Sequence, residues 1–313
     1  MNSIVFSQKL RAAFFHGGSA YGIGRLLSFG IKVLVSQCGP SAIGIYYFST
    51  ELMRNTSQLA SWGIPMSMGR FIGLYSKESE KQVHAIQSSI TLLMVLCVVA
   101  LIGIAFTFPH LVPHAYPLQQ NLAFIMLAVG IIGNMLLLHT KAVAFGYVDS
   151  KTAYIYEGLD AIIKVLCIGI GLYSTHTIVG ALYGYSIGSM LSGVMCFVHM
   201  SHSHRVPFRL RIDSSLFSYA WPVGVSEAIT ASISLYLLFL LSRVAGASSL
   251  GIIATGMSVA VLVFFVPQVA LPIVVPSLSQ ALTDRGIPKK ILLAVFRFVA
   301  IPTLGVAIVL VLT

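Results

Sequence analysis

Ionisable side chains occur inside long apolar stretches of this sequence. An ionisable residue at membrane depth is costly, so it is a functional candidate by default. Four are cations that could hold an anionic ligand: Arg25, Lys32, Arg54 and Lys164. Three are carboxylates that could take a coupling ion: Glu51, Asp160 and Glu227. Arginine grips phosphate in a bidentate manner and lysine acts as a point charge, so the cations predict an anionic cargo.

Spacing indicates which of these charges could pair within one helix. Glu51 and Arg54 are three residues apart, and Asp160 and Lys164 are four apart, so each pair shares a helix face. Each pair could be a structural salt bridge or could take part in binding, and the spacing does not distinguish these two interpretations. His139 is interpreted as a packed helix residue rather than a proton relay.

Other charges have no partner on their own apolar stretch. Arg25 and Lys32 lie two helical turns apart on one face, without a nearby carboxylate, and we expect them to line a cavity. The alternative is pairing with carboxylates of other helices. For Glu227, ion coupling stands against a salt bridge or a position near the membrane interface.

The elements that must position these residues are transmembrane helices. Hydrophobic residues make up 57% of the 313 residues and charged residues only 9%, far from the roughly 25% charged residues of soluble proteins. A spanning helix needs about 20 apolar residues. The sequence predicts an all-α polytopic membrane protein with nine spans, at about 12–36, 42–69, 84–107, 119–147, 152–173, 177–200, 215–242, 249–280 and 290–312.

Positive charge alternates between the connections. Lys and Arg are concentrated before span 1 and in the connections after spans 2, 4, 6 and 8, whereas the intervening connections hold one Arg. This positive-inside pattern predicts a cytoplasmic N-terminus in the inner (plasma) membrane. The net charge of +10 is therefore not interpreted as a nucleic-acid site, because no basic patch accompanies a soluble fold.

The sequence shows no motif for catalysis or metal binding in the structural context that its chemistry requires. The four cysteines are widely spaced, and the histidines at 199, 202 and 204 have no acidic or cysteine partner nearby. There is no phosphate-binding loop or His-Glu-x-x-His motif, and the Gly-x-Ser-x-Gly letters at 184–188 fall inside an apolar span rather than at the strand-to-helix turn of a nucleophile elbow. The sequence predicts neither an enzyme nor a bound cofactor.

An internal repeat indicates two lobes. An offset of 207 residues aligns Pro65 with Pro272, and residues 39–45 with residues 246–252. Six spans separate the copies, so both enter the membrane in the same direction, as in parallel transporter repeats. We expect a first lobe of six helices at 1–205 and a partial second lobe of three helices at 206–313.

Local motifs resemble polysaccharide flippases of the multidrug/oligosaccharidyl-lipid/polysaccharide (MOP) exporter superfamily. The resemblance rests on residues 18–32 of span 1, the turn at 39–46, and Gly63-Ile64-Pro65 followed by Arg70. At the lobe boundary, residues 216–222 resemble the Phe-x-x-Tyr-x-x-Pro motif of that family. The resemblance implies twelve or more helices in two lobes, a central cavity and alternating access.

The resulting prediction is a flippase for polyprenyl-pyrophosphate-linked oligosaccharide in surface polysaccharide biosynthesis, such as that of O-antigen and lipopolysaccharide. Its partners would be this lipid-linked oligosaccharide, membrane lipid, and the glycan polymerase and chain-length machinery. One alternative is a cation-coupled multidrug exporter of the same superfamily. Another is a membrane-embedded glycan polymerase, although the longest outer loop, at 109–120, offers histidines and no acid.

Overall fold

The computed structural model describes residues 19, 22–24, 26–76, 78–111, 120–147, 149–207 and 209–260. These residues contain helices and connections, and no strand. Helix α1 covers residues 26–36, with helical backbone also at 19 and 22–24. The helices that follow are α2 (Pro40–Ser61), α3 (Ile64–Leu74), α4 (Ser79–Leu111), α5 (Gln120–Gly146), α6 (Ser150–Thr175), α7 (Ile178–Ser203), α8 (Ser214–Val244) and α9 (Gly246–Ala260).

The all-α membrane fold predicted from the sequence is confirmed. Within the described residues, four helices are long and apolar enough to cross a bilayer: α4, α5, α7 and α8. Helix α6 has 26 residues, enough to span about 39 Å, but it carries charged residues that reduce its mean hydropathy. The predicted span at 290–312 lies outside the described residues.

One predicted span differs from the structure. The stretch at 42–69 is two helices, because the chain breaks at Trp62 and Gly63, which both have left-handed backbone conformations (φ 45° and 69°). Glycine adopts this conformation without steric cost. Pro65 then falls in the first turn of α3, where its missing N–H costs no hydrogen bond.

Aspartates fix the starts of two helices on the predicted cytoplasmic side. The Asp149 carboxylate accepts a hydrogen bond from the Thr152 N–H at 3.1 Å, which caps α6. The Asp213 carboxylate accepts one from the Ser215 N–H at 2.9 Å, which caps α8. Each side chain satisfies a backbone donor that the first helical turn leaves without a partner.

Small residues allow α5, α6 and α7 to pack closely. A Cβ on Gly133 would overlap the backbone of Ser189 on α7, and Gly171 and Gly180 occupy equivalent positions between α6 and α7. Close backbone approach at small residues is the usual way in which membrane helices associate. This tight packing brings the polar residues of the three helices within hydrogen-bonding distance.

Helix α2 links the first part of the chain to α8 and α9. Gly44 on α2 lies directly against the Ala247 carbonyl at the start of α9. The Phe48 and Phe239 rings, on α2 and α8, pack edge to face with centroids 5.4 Å apart. These contacts join the two predicted lobes through α2.

Two glycines that the 207-residue offset aligns have similar backbone conformations. Gly39, just before α2, has φ 105°, and Gly246, the first residue of α9, has φ 73°. Each therefore marks a helix start in the corresponding position of its repeat. The division into lobes at residue 205 remains a prediction that this agreement supports.

Candidate functional site

Asp160 and Lys164 form a buried ion pair on α6. Their Oδ2 and Nζ atoms are 2.8 Å apart, and the side chains are only 13% and 12% exposed. The four-residue spacing places both on one helix face, as the sequence predicted. A buried pair requires further hydrogen bonds to offset the loss of hydration.

Neighbouring helices supply these hydrogen bonds. Lys164 Nζ donates to Asn134 Oδ1 of α5 at 3.2 Å, and the Ser192 hydroxyl of α7 donates to Asp160 Oδ1 at 2.6 Å. The ammonium also lies 4.9 Å from the centre of the Tyr185 ring, a cation–π geometry. We call Asn134, Asp160, Lys164, Tyr185 and Ser192 the α6 charge cluster. Charge spacing identified only Asp160 and Lys164.

A second ion pair joins α5 to α6 nearer the predicted cytoplasmic side. Lys141 Nζ pairs with Glu157 Oε2. The two residues are 16 positions apart, so their contact depends on how the helices are rotated against each other. Nearby His139 is fully buried, and its two ring nitrogens have no hydrogen-bond partner among the described residues.

Glu51 and Arg54 form the predicted pair on α2. Arg54 Nη2 lies 2.6 Å from Glu51 Oε2, and Asn55 Nδ2 donates to the Glu51 backbone carbonyl at 2.9 Å. Although Arg54 is in the middle of the helix, its side chain is 61% exposed, against 19% for Glu51. Most of the Arg54 side chain is therefore exposed, while its Nη2 atom stays against the Glu51 carboxylate.

Glu227 of α8 contacts the backbone at the break between α2 and α3. Its Oε2 atom accepts a hydrogen bond from the Gly63 N–H at 3.0 Å. The backbones of Gly63 and Gly224 approach closely at this point, and the Trp62 and Trp221 rings pack with centroids 5.4 Å apart. The carboxylate thus satisfies a backbone donor exposed by the break. This contact is a hydrogen bond to the backbone rather than the salt bridge named as an alternative, and the ion-coupling role of Glu227 stays a prediction.

The cations expected to hold the substrate lie in separate groups of contacts where the structure describes them. Lys32 Nζ donates to the Ala254 carbonyl of α9 at 3.2 Å, which links α1 to the predicted second lobe. Arg25 lies outside the described residues. Arg54 and Lys164 belong to separate groups of contacts, on α2 and in the α6 charge cluster. Their shared role in substrate binding therefore stays a prediction.

An apolar cavity of about 440 Å³ lies between α2, α4, α5 and α8. Its lining includes Leu52, Leu96, Leu127, Leu235 and Phe239, and sequence reasoning did not identify it. The residues are ordinary apolar helix residues, and only their tertiary arrangement creates the space. The volume is within the range of small-molecule sites, about 300–1,000 Å³.

The fold is similar to that of solved transporters, although no protein-family model matches the sequence and no curated protein matches it significantly. A MATE in complex with MaD3S is 16% identical over 92% of this chain and 68% of its own length, with a TM-score of 0.65. An outward-facing multidrug resistance MATE family transporter of the MOP superfamily is also 16% identical, over 92% of this chain and 66% of its own, with a TM-score of 0.66.

A third structure with this fold is a MOP superfamily transporter from Pyrococcus furiosus Vc1, for which reverse polarity of the binding pocket suggests a different function. It is 16% identical over 92% of this chain and 66% of its own length, with a TM-score of 0.66. The chain therefore has the fold of MATE transporters of the MOP superfamily and spans about two thirds of their length.

Proposed function

We propose that this chain is part of a membrane transporter that moves a lipid-linked oligosaccharide, held through its pyrophosphate, from the inner to the outer leaflet of the cytoplasmic membrane. The product would enter surface polysaccharide synthesis, such as that of O-antigen or lipopolysaccharide. The MATE-like fold supports transport in general. The anionic cargo is inferred from the charges of the first seven helices.

The exposed guanidinium of Arg54 carries the proposal. Arg54 is fourteen residues into α2, or about 21 Å along the helix axis, which would place it near mid-membrane in the predicted span at 42–69. Exposure to hydrocarbon at this depth would be strongly unfavourable, and such residues instead face water-filled cavities. We infer that the exposed face of α2 borders a hydrated cavity.

Arg54 retains hydrogen-bonding capacity for an anion. A guanidinium has five N–H donors in a planar fork, and the described contact to Glu51 occupies one of its nitrogen atoms. Tyr47, Glu51, Arg54 and Gln58 share one face of α2, so the site would present a polar stripe to its cargo. Phosphate oxygens accept bidentate hydrogen bonds from such a fork.

The other cations would act in different ways. Lys164 is neutralised by Asp160 and shielded from solvent, so it would hold phosphate only if this pair opened. Lys32 on α1, and Arg25 in the predicted first span, would add positive charge at the same cavity. This idea is compatible with the reverse polarity of the binding pocket that is described for the structurally similar transporter from Pyrococcus furiosus.

Multidrug export is the second candidate, and the apolar cavity favours it. A space of about 440 Å³ lined by aliphatic and aromatic side chains suits a lipophilic drug. The carboxylates Glu51, Asp160 and Glu227 would then be the groups for coupling ions. All three carboxylates already contact protein donors, which makes this candidate weaker.

A binding measurement on Arg54 variants tests the proposal. The purified chain would be titrated with a fluorescent polyprenyl-pyrophosphate disaccharide, and with a cationic dye in parallel. We expect Arg54→Gln to weaken binding of the pyrophosphate lipid roughly tenfold or more, from the loss of a charge-assisted hydrogen bond. Arg54→Lys should retain part of the affinity.

The control separates lost recognition from an unpaired carboxylate. Glu51→Gln combined with Arg54→Gln removes both charges, and Glu51→Gln preserves the volume of the Glu51 side chain. If the cation holds the cargo, this double variant binds as weakly as Arg54→Gln. Recovery of binding in the double variant, or tight binding of the dye alone, would contradict the proposed cargo.

A further inference from the structure

The connection between α7 and α8 lies along α4 instead of projecting into solvent. Gln87 Nε2 donates to the Pro207 carbonyl at 2.8 Å, and the Arg211 N–H donates to the Thr91 hydroxyl at 3.1 Å. Thr91 is twelve residues into α4, about 18 Å along its axis. Two hydrogen bonds from different parts of the connection therefore fix its backbone against this helix.

The sequence of this connection suits a boundary between lipid and water. Residues 209–212 read Arg-Leu-Arg-Ile in a segment without helix or strand, and Leu210 borders a cavity together with the two arginines. Leu210 and Ile212 are 71% and 69% exposed. One turn beyond Thr91, Met94 and Val95 of α4 are also exposed apolar residues. These side chains together mark the edge of the hydrocarbon region.

The two arginines border a shallow cavity beside α4. This cavity has a volume of about 300 Å³, and its polar lining residues are His84, Gln87, Arg209 and Arg211. Both arginines are exposed, and neither forms a salt bridge with a carboxylate in the part of the chain that the structure describes. The described lining of the cavity therefore holds cationic and polar groups and no carboxylate, although Arg211 also interacts electrostatically with the nearby Asp213.

We propose that this cavity binds the phosphate headgroup of an anionic phospholipid from the cytoplasmic leaflet. Arg209 and Arg211 would hold the phosphate oxygens, with His84 as a third polar contact. The lipid chains would lie beside Leu210 and Ile212. Basic pockets next to transmembrane helices on the cytoplasmic side are suited to such headgroups. This inference does not depend on the cargo of the transporter.

Lipid titration of the full chain tests the site. The protein in neutral detergent would be titrated with fluorescent phosphatidylglycerol, and with the same label on phosphatidylcholine. Each arginine would lose a charge-assisted hydrogen bond to the phosphate, so we expect Arg209→Gln with Arg211→Gln to weaken phosphatidylglycerol binding roughly thirty-fold or more. Arg205→Gln removes the same charge from the same connection outside the cavity, and it should leave affinity within about twofold.

Three results would overturn the proposal. The first is an equal loss of affinity in Arg205→Gln, which would indicate non-specific attraction. The second is equal binding of phosphatidylcholine and phosphatidylglycerol by the unmodified chain. The third is binding of inorganic phosphate or pyrophosphate with the same arginine dependence and the same affinity as the lipid, which would assign the cavity to a soluble anion. Melting temperatures of all variants would show that the fold is intact.

Discussion

Removal of one partner from the Asp160–Lys164 pair should destabilise the first lobe strongly. In Lys164→Met, the Asp160 carboxylate would keep its hydrogen bond from Ser192 but lose its counter-charge at 2.8 Å. Asp160→Asn would leave the ammonium with Asn134 and the Tyr185 ring. Breaking a buried pair in this way costs about 3–5 kcal/mol.

The double variant should recover most of this loss. Asp160→Asn with Lys164→Met keeps the side-chain volumes nearly constant and leaves no buried charge. Replacement of a buried pair by neutral residues of similar volume is often neutral, so we expect a net cost of about 1 kcal/mol. The coupling energy of the double-mutant cycle would then be several kcal/mol, far above the limit for independent sites of about 0.5 kcal/mol.

Equilibrium unfolding in mixed detergent and dodecyl sulfate micelles would measure the four free energies. Additive effects of the two substitutions would refute the assignment of a coupled pair. The stable double variant also separates structure from function. If it folds but binds no pyrophosphate lipid, Lys164 contacts the cargo, and if it binds normally, the pair is structural.

Three other predictions concern packing, capping and pH. Gly44→Ala places a methyl group against an α9 carbonyl and should cost about 1–3 kcal/mol in unfolding free energy, whereas Gly30→Ala, which meets no atom within 4 Å, should be neutral or slightly stabilising. Glu227→Leu should lower the unfolding free energy by about 1–3 kcal/mol because the Gly63 N–H loses its acceptor. Glu227→Gln, which keeps an acceptor oxygen, should lower it less, and equal losses in the two variants would exclude this hydrogen bond. Burial lowers the pKa of His204 below its ordinary value of about 6.5. The contribution of neutral His204 to stability is therefore complete above pH 6.5 and declines as the pH falls through the lowered value. His204→Phe should reduce the dependence of the melting temperature on pH between pH 7.5 and 5, and an unchanged dependence would contradict this.

Hydropathy and helix spacing predicted much of the fold because both depend on local sequence. Apolar length located the helices, and three- and four-residue spacing identified the pairs on α2 and α6. Gly63 and Pro65 were visible in the sequence, but the apolar run on both sides concealed the break between α2 and α3. Its stability depends on Glu227, which is 164 residues away.

Contacts between helices could not be predicted from one sequence. The Lys141–Glu157 pair requires a particular rotation of α5 against α6, and Ser192 reaches Asp160 only because small residues bring α6 and α7 together. The cavity beside Leu96 and Phe239 is a gap between four helices without any local pattern. These features are consequences of packing geometry.

The central claim is that this chain moves an anionic lipid-linked glycan, and translocation in vesicles tests it most directly. The full chain would be reconstituted into proteoliposomes containing fluorescent polyprenyl-pyrophosphate disaccharide, and an added reductant would quench the outer leaflet. We predict that the chain increases quenching of inner-leaflet lipid, and that Arg54→Gln abolishes this increase whereas Arg243→Gln does not. Quenching equal to that of empty vesicles, together with efflux of a cationic dye by the same preparation, would contradict the claim.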